Sequence, residues 1–236
     1  MATLYVTATP IGNLEDITLR AIRILSEVDI ILAEDTRQLA KLKSRFEATQ
    51  PEYTINADII RFDQHTEANQ LTKIIRLLDE GKNIALVSDA GTPLLSDPGF
   101  LLIKTIHKHT DHHVVPVPGV SAVTSALSVS GLPPYPFCFL GFLPPKSGKL
   151  TTVLTSTLEL HTAMPLTFVA FESPNRVDQT VSQMNAFCQE NTCKIELVVL
   201  NELTKLHEKT VHINLPGIED LPELKGEITL TWRFSV

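Results

Sequence analysis

Four short segments of this chain combine small residues with a hydroxyl or a carboxylate. They are Ala8-Thr9-Pro10-Ile11-Gly12-Asn13-Leu14, Ala33-Glu34-Asp35-Thr36-Arg37, Val87-Ser88-Asp89-Ala90-Gly91-Thr92-Pro93 and Val117-Pro118-Gly119-Val120-Ser121-Ala122. Small residues let a ligand approach the backbone, and a carboxylate accepts hydrogen bonds from a ligand hydroxyl or amine. Each segment also reads as a strand-end turn followed by a helix cap. Their recurrence within one half of the chain favours a ligand site, with Asp89, Gly91 and Thr92 as its densest part. No GxGxxG or GxxxxGK[ST] pattern occurs, so dinucleotide and P-loop readings are not supported. His107, His109, His112 and His113 cluster without zinc-motif spacing and read as a solvated face, so no metal is expected. Cys138, Cys188 and Cys193 form neither a disulfide framework nor a zinc ribbon.

Elements that position these segments follow from the apolar pattern. Strands are expected at Leu4–Thr9, 30–34, 59–62, 83–89 and 113–118, alternating with helices at about 17–28, 36–46, 67–80 and 100–109. Residues 47–58 read as loop. The strands are continuous apolar runs, as in a parallel sheet buried on both faces. In such a sheet, ligands sit at the carboxyl ends of the strands, where the four segments fall. From Ser121 the pattern changes: helix 121–131, strand 137–142, a helix after 144–149, strand 166–171, helix 176–188, then strands 195–200, 211–215 and 226–234. More consecutive strands predict a mixed sheet. The expectation is an α/β protein of two α/β domains, 1–118 and 119–236.

The chain has 236 residues, 43% of them hydrophobic and 20% charged, which suffices for a buried core. No apolar run approaches the roughly 18–20 residues needed to span a bilayer, and the N-terminus lacks a signal-peptide pattern. The expected location is the cytoplasm. A net charge of −7 gives no global attraction to nucleic acid, so an RNA partner needs a local basic patch. Arg37, Lys41 and Arg45, spaced i, i+4, i+8, form such a stripe on a helix, and Lys146 and Lys149 form a smaller spot. Short basic stripes are also commonly solvated helix faces.

The segments ATPIGNLEDITLRA, AEDTR, ALVSDAGTPLLSDPGF, VPVPGVSA, LGFLPPKSG, FESPNR and NELTK follow one another in an order that resembles the ribosomal RNA small subunit methyltransferase I group. That group lies in the tetrapyrrole methylase superfamily, the class III S-adenosylmethionine methyltransferases. The similarity runs from Leu4 to about Glu208 and resumes at 225–230. The resemblance implies S-adenosylmethionine as methyl donor, held in a cleft between the two domains, and a cytidine ribose 2′-hydroxyl in the decoding region of 16S rRNA as acceptor. The small ribosomal subunit is the implied partner, and a homodimer the implied assembly. Ile11, Asp89, Gly91, Thr92, Ser125 and Ala126 match donor-wrapping positions, and Phe171 would close over the adenine. Segment 62–70, FDQHTEANQ, departs from a richer His/Asn cluster, so only His65 and Glu67 carry over, and Pro145 stands where a basic residue is common.

Methyl transfer from a sulfonium needs the acceptor oxygen close and dry, and a helper for its proton. Glu34, His65, Glu172 and Lys205 are the candidates for that role, with Asp35 beside Glu34. The alternatives are helix capping for Glu34 and Asp35 and ion pairing for Glu172 and Lys205. Arg37, Lys41, Arg45, Lys146 and Arg176 are the candidate RNA contacts. A precorrin-type methylase and a catalytically idle donor-binding module are the two rival readings.

Overall fold

The structure, a computed structural model, describes residues 1–50, 52–217 and 221–235. Contacts divide the chain into two units, Met1–Ser121 and Ala122–Val236.

The first unit alternates strands and helices: β1 (Thr3–Thr7), α1 (Leu19–Glu27), β2 (Ile30–Ala33), α2 (Thr36–Thr49), β3 (Asp58–Arg61), α3 (Glu67–Asp79), β4 (Ile84–Val87), α4 (Phe100–His109) and β5 (His113–Val117). Helix α1 starts later than its apolar stripe suggests. Asn13 first caps a separate 3-10 turn, Leu14–Asp16, and Thr18 then opens the helix by accepting the Ala21 N–H. Helix α2 continues past Phe46 into the segment expected to be loop. Nothing stops it before Gln50, which precedes Pro51 and is pushed out of the helical region.

All five strands are parallel, in the order β3-β2-β4-β1-β5. Alternation along β2 and β4 builds two cores. Ile30, Leu32, Ile84 and Leu86 face α3 and α4, where Ile74, Leu78, Leu102 and Ile106 meet them. Ile31, Ala33, Ala85 and Val87 face α1 and α2 through Leu25 and Leu39. The expectation of strands buried on both faces therefore holds for β2 and β4 and fails at the edges. Asp58, Ile59 and Arg61 of β3 are exposed, as is Pro116 of β5, where a residue without an N–H is tolerated because the strand is an edge.

Strand order also locates the crevice. From β2 the chain passes through α2 to β3 on one side, and from β4 through α4 to β5 on the other. Strands β2 and β4 are neighbours, so the connections diverge and leave an opening at their carboxyl ends.

The second unit contains α5 (Ala122–Val129), β6 (Phe137–Phe142), α6 (Ser147–Ala163), β7 (Thr167–Glu172), α7 (Val177–Asn191), β8 (Lys194–Asn201), β9 (Lys209–Leu215) and β10 (Ile228–Ser235). Its sheet, β6-β7-β10-β8-β9, is mixed: β6 and β7 are parallel, and the other pairs antiparallel. Helices α6 and α7 pack Leu150, Leu154, Val181 and Met184 on one face, where Phe168 stacks on Trp232 at 5.5 Å. Val123 and Leu127 of α5 pack on Val169 of the other face. Among the described residues no helix is long and apolar enough to cross a membrane.

Candidate active site

At the β2/β4 crevice lies a cavity of about 670 Å³ lined by Glu34, Asp35, Thr36, Arg37, Arg61, Asp63, Gln64, His65 and Asp89. Its walls are the ends of three adjacent strands. Asp35 caps α2 by accepting the Arg37 N–H at 2.8 Å, and its own N–H donates to Asp89 Oδ1 at 3.0 Å. Asp63 opens α3 by accepting the N–H groups of His65 and Thr66 at 3.0 and 2.9 Å, with Arg61 Nε 2.8 Å from its other oxygen. His65 is thus held by its backbone at the wall of the cavity.

The charges differ in kind. Hydrogen bonds from Arg37 bring Asp35 down to about 2. Burial raises Asp63, but the bonds from Thr66, Arg61 and His65 outweigh it and leave its carboxyl below the usual range. Glu34 goes the other way. Burial, aided by the nearby charges of Asp89 and Asp63, lifts it above the ordinary carboxylate range. Asp97, in the turn that follows β4, is lifted further, to about 7, first by burial and then by Glu34 and Asp89. Sequence reasoning misses Asp97. Its signal is a carboxylate in a Ser-Asp-Pro-Gly turn on the same strand end as Asp89, which becomes informative only when burial is known.

Because folding raises the Asp97 pKa, ionisation of this group penalises the folded state. The penalty is absent below the ordinary value of 3.8, grows as pH rises, and is complete above about 7. Asp97→Asn is therefore expected to raise the melting temperature at pH 8 and leave it nearly unchanged at pH 4. A mutant-to-parent difference that stays constant from pH 4 to pH 8 would contradict this placement.

A second set of loops adjoins the first. Thr9 and Gly91 exchange backbone hydrogen bonds of 2.9 and 3.0 Å, and the Ala8 N–H donates to the Val117 carbonyl. Thr9 Oγ1 donates to the Ser88 carbonyl, Ser88 Oγ to the Gly91 carbonyl, and Thr92 Oγ1 to the Val120 carbonyl. The loops after β1, β4 and β5 are thus laced together. Gly91 has φ +81°, and a Cβ there would stand 3.0 Å from Ile11 Cγ2; a Cβ on Gly119 would stand 3.0 Å from that of Ala8. These glycines let the loops pack closely beside Asp89, whose exposed carboxylate accepts one N–H and has capacity for a ligand hydroxyl. These laced loops form the candidate donor cradle. The Thr92 hydroxyl proton is already donated within the protein, so Thr92 offers backbone rather than a side-chain donor.

The basic stripe lies on α2 as expected, with Lys41 and Arg45 exposed. Arg37 differs. Its side chain is 86% exposed, yet its guanidinium folds back onto both oxygens of Asp35 at 3.0 and 2.7 Å.

Ser125, Ala126, Phe171, Glu172, Lys146, Arg176 and Lys205 belong to the second unit. Ala126 is buried and Ser125 half-buried on α5. Phe171 packs edge-on against Phe139 and Phe142 at 4.9 and 5.5 Å. Lys146 is exposed at the start of α6. Glu172, expected as a possible base, is buried with its oxygens occupied by the Ser173 N–H, the Thr180 hydroxyl and the Arg176 guanidinium. Arg176, expected at RNA, is held by Glu172 and by the Leu143 carbonyl at 3.2 Å. Glu172 fastens the end of β7 to the start of α7, and Arg176 ties that start to Leu143, just after β6. Burial lowers the Lys205 pKa, but pairing with Glu202 at 2.8 Å and Glu227 at 3.2 Å outweighs it and holds the ammonium above its ordinary range. It is a fixed cation and a poor base.

Comparison with known proteins adds a lineage to this geometry. Residues 3–219 match the family described as Tetrapyrrole (Corrin/Porphyrin) Methylases. The chain is 41% identical to a ribosomal RNA small subunit methyltransferase I of Escherichia coli O157:H7, covering 96% of this chain and 76% of that one. It is 37% identical to the protein of that name from Coprothermobacter proteolyticus, covering 96% of this chain and 95% of that one. A crystal structure of diphthine synthase shares the fold with a TM-score of 0.68 at 12% identity, over 97% of this chain and 89% of that one.

Proposed function

This chain belongs to the tetrapyrrole methylase family, and from that premise we propose that it uses S-adenosylmethionine to methylate the ribose 2′-hydroxyl of a cytidine in 16S rRNA of the small ribosomal subunit. One observation carries the reading furthest: the AEDTR and SDAGTP segments, distant in sequence, meet at one switch-point cavity, and Asp35 is tied to Asp89 there. The cradle of Ile11, Gly91 and Thr92 beside Asp89 serves the donor, whose sulfonium supplies the methyl group. The chain's own residues must then orient the ribose and take its proton. Glu34 is the carboxylate best suited to accept it, because burial and like charge make it more basic than an ordinary glutamate. His65 lines the same cavity and serves to orient the ribose. Lys41 and Arg45, at the outer part of the helix that starts from this cavity, supply phosphate contacts.

By family resemblance, Ser125, Ala126 and Phe171 of the second unit are proposed as further donor contacts and Lys146 as a further RNA contact. The reading also includes a homodimer, which a molar-mass measurement in solution tests. The direct test of function offers labelled donor with three acceptors: small ribosomal subunits, naked 16S rRNA and a precorrin. Label transferred to ribosomal RNA supports the proposal, label on the macrocycle replaces it with the tetrapyrrole reading, and donor binding without transfer to any acceptor supports an idle module.

A further inference from the structure

Glu67 lines no part of the cavity, yet it is buried, with 7% of its surface exposed. Its Oε1 accepts the N–H of Gly99 at 3.2 Å and that of Leu102 at 3.1 Å. Both donors belong to the first turn of α4, whose N-cap residue, Gly99, has no side chain to satisfy them. A carboxylate from α3 therefore caps α4, and its negative charge suits the positive end of that helix.

This connection bears on the loop between β4 and α4. Leu94 has φ 73° and Ser96 φ 81°, both in the left-handed region that side chains disfavour, and Gly99 has φ 129°. Strained conformations of this kind persist only where the surroundings hold them. At its start the loop is held by the Thr9–Gly91 pair and the Ser88 hydroxyl. At its end two things hold it: Gly99, seated so tightly on Leu86 that a Cβ would come within 2.7 Å of Leu86 Cδ2, and the Glu67 carboxylate. Glu67 itself follows closely on Asp63, Gln64 and His65, which form one wall of the cavity.

Resting on the methyltransferase reading, we infer that Glu67 is a positioning residue: it ties the His65 wall to the far end of the donor loop and so holds Asp97 in place beside Glu34 and Asp89. Without it the Gly99 and Leu102 N–H groups lose their partner, and the left-handed segment relaxes toward ordinary backbone. Asp97 then loses its place beside Glu34, the proposed base, although Glu67 touches no reactant.

The test compares Glu67→Ala with Glu67→Gln, which keeps an acceptor oxygen in the same place. All measurements are made well below the melting temperature of either variant. Three quantities are read: amide hydrogen exchange over residues 94–103, the Kd for S-adenosylhomocysteine, and the pH profile of methyl transfer to small ribosomal subunits. Glu67→Ala is expected to speed exchange in that segment, weaken S-adenosylhomocysteine binding by about tenfold, and shift the acidic limb of the profile. Glu67→Gln should restore most of each. If Glu67→Ala melts earlier but keeps parental ligand affinity and pH profile, Glu67 is only a stabilising cap and the inference is wrong. Parent protein that binds the ligand but leaves ribosomal RNA unmethylated would refute the substrate reading, and the affinity and exchange comparisons would still decide for or against Glu67.

Discussion

Asp89→Ala is expected to weaken S-adenosylhomocysteine binding by about 10- to 100-fold, the range set by losing one charged hydrogen bond at about 1.5–3 kcal/mol. The parent carboxylate is exposed at the mouth of the crevice, so its removal costs the folded protein little by itself. The loss falls on binding, because Asp89 both faces the ligand cradle and anchors the Asp35 N–H at 3.0 Å. Asp89→Asn separates these contributions. It keeps an oxygen for Asp35 while removing the charge, and should bind with intermediate affinity. Calorimetry on the three proteins checks the order, and equal affinity for parent and Asp89→Ala would remove Asp89 from the donor site.

The second large effect concerns RNA. Changing Arg37, Lys41 and Arg45 together to alanine should leave donor affinity within about twofold and lower methylation of ribosomal particles by an order of magnitude or more. In a chain of net charge −7, binding to a polyanion depends on such local patches. The salt dependence gives the sharper readout, because each phosphate that the protein no longer neutralises takes about 0.7–0.9 off the slope of log K against log salt. Structure refines the expectation. Arg37 is already bound at both oxygens of Asp35, whereas among the described residues neither Lys41 nor Arg45 forms an ion pair. Lys41→Ala with Arg45→Ala should therefore account for most of the change in slope. An unaltered slope in the triple variant would make the stripe a solvated helix face.

Much of the architecture could be read from local pattern. The alternation of apolar strands with amphipathic helices placed β1 to β5 and their helices within a few residues, and the denser strands after residue 190 announced the mixed sheet. Departures occur where a neighbour or a cap overrides periodicity: the 3-10 turn capped by Asn13, the extra helical turn before Gln50, and the open edges β3 and β5. The site was legible in its loops but not in its roles. Glu172, Arg176 and Lys205 resemble catalytic or binding groups by type, yet each is engaged by partners that only folding supplies. Asp97 had the opposite fate, and Glu67 carried over from the family resemblance without a role. Their importance rests on burial and on neighbours that lie far away along the chain, such as Gly99 for Glu67 and Glu34 for Asp97, which no local pattern encodes.

Whether this cavity delivers a methyl group to a ribose oxygen of small-subunit RNA is decided by one product analysis. The protein is incubated with isotopically labelled S-adenosylmethionine and unmethylated small ribosomal subunits, and the RNA is then digested to nucleosides and weighed. The expected product is labelled 2′-O-methylcytidine from 16S rRNA, absent with Glu34→Gln while donor affinity persists. Label on a nucleobase, or no label in any nucleoside when the donor is bound, would contradict the proposed function.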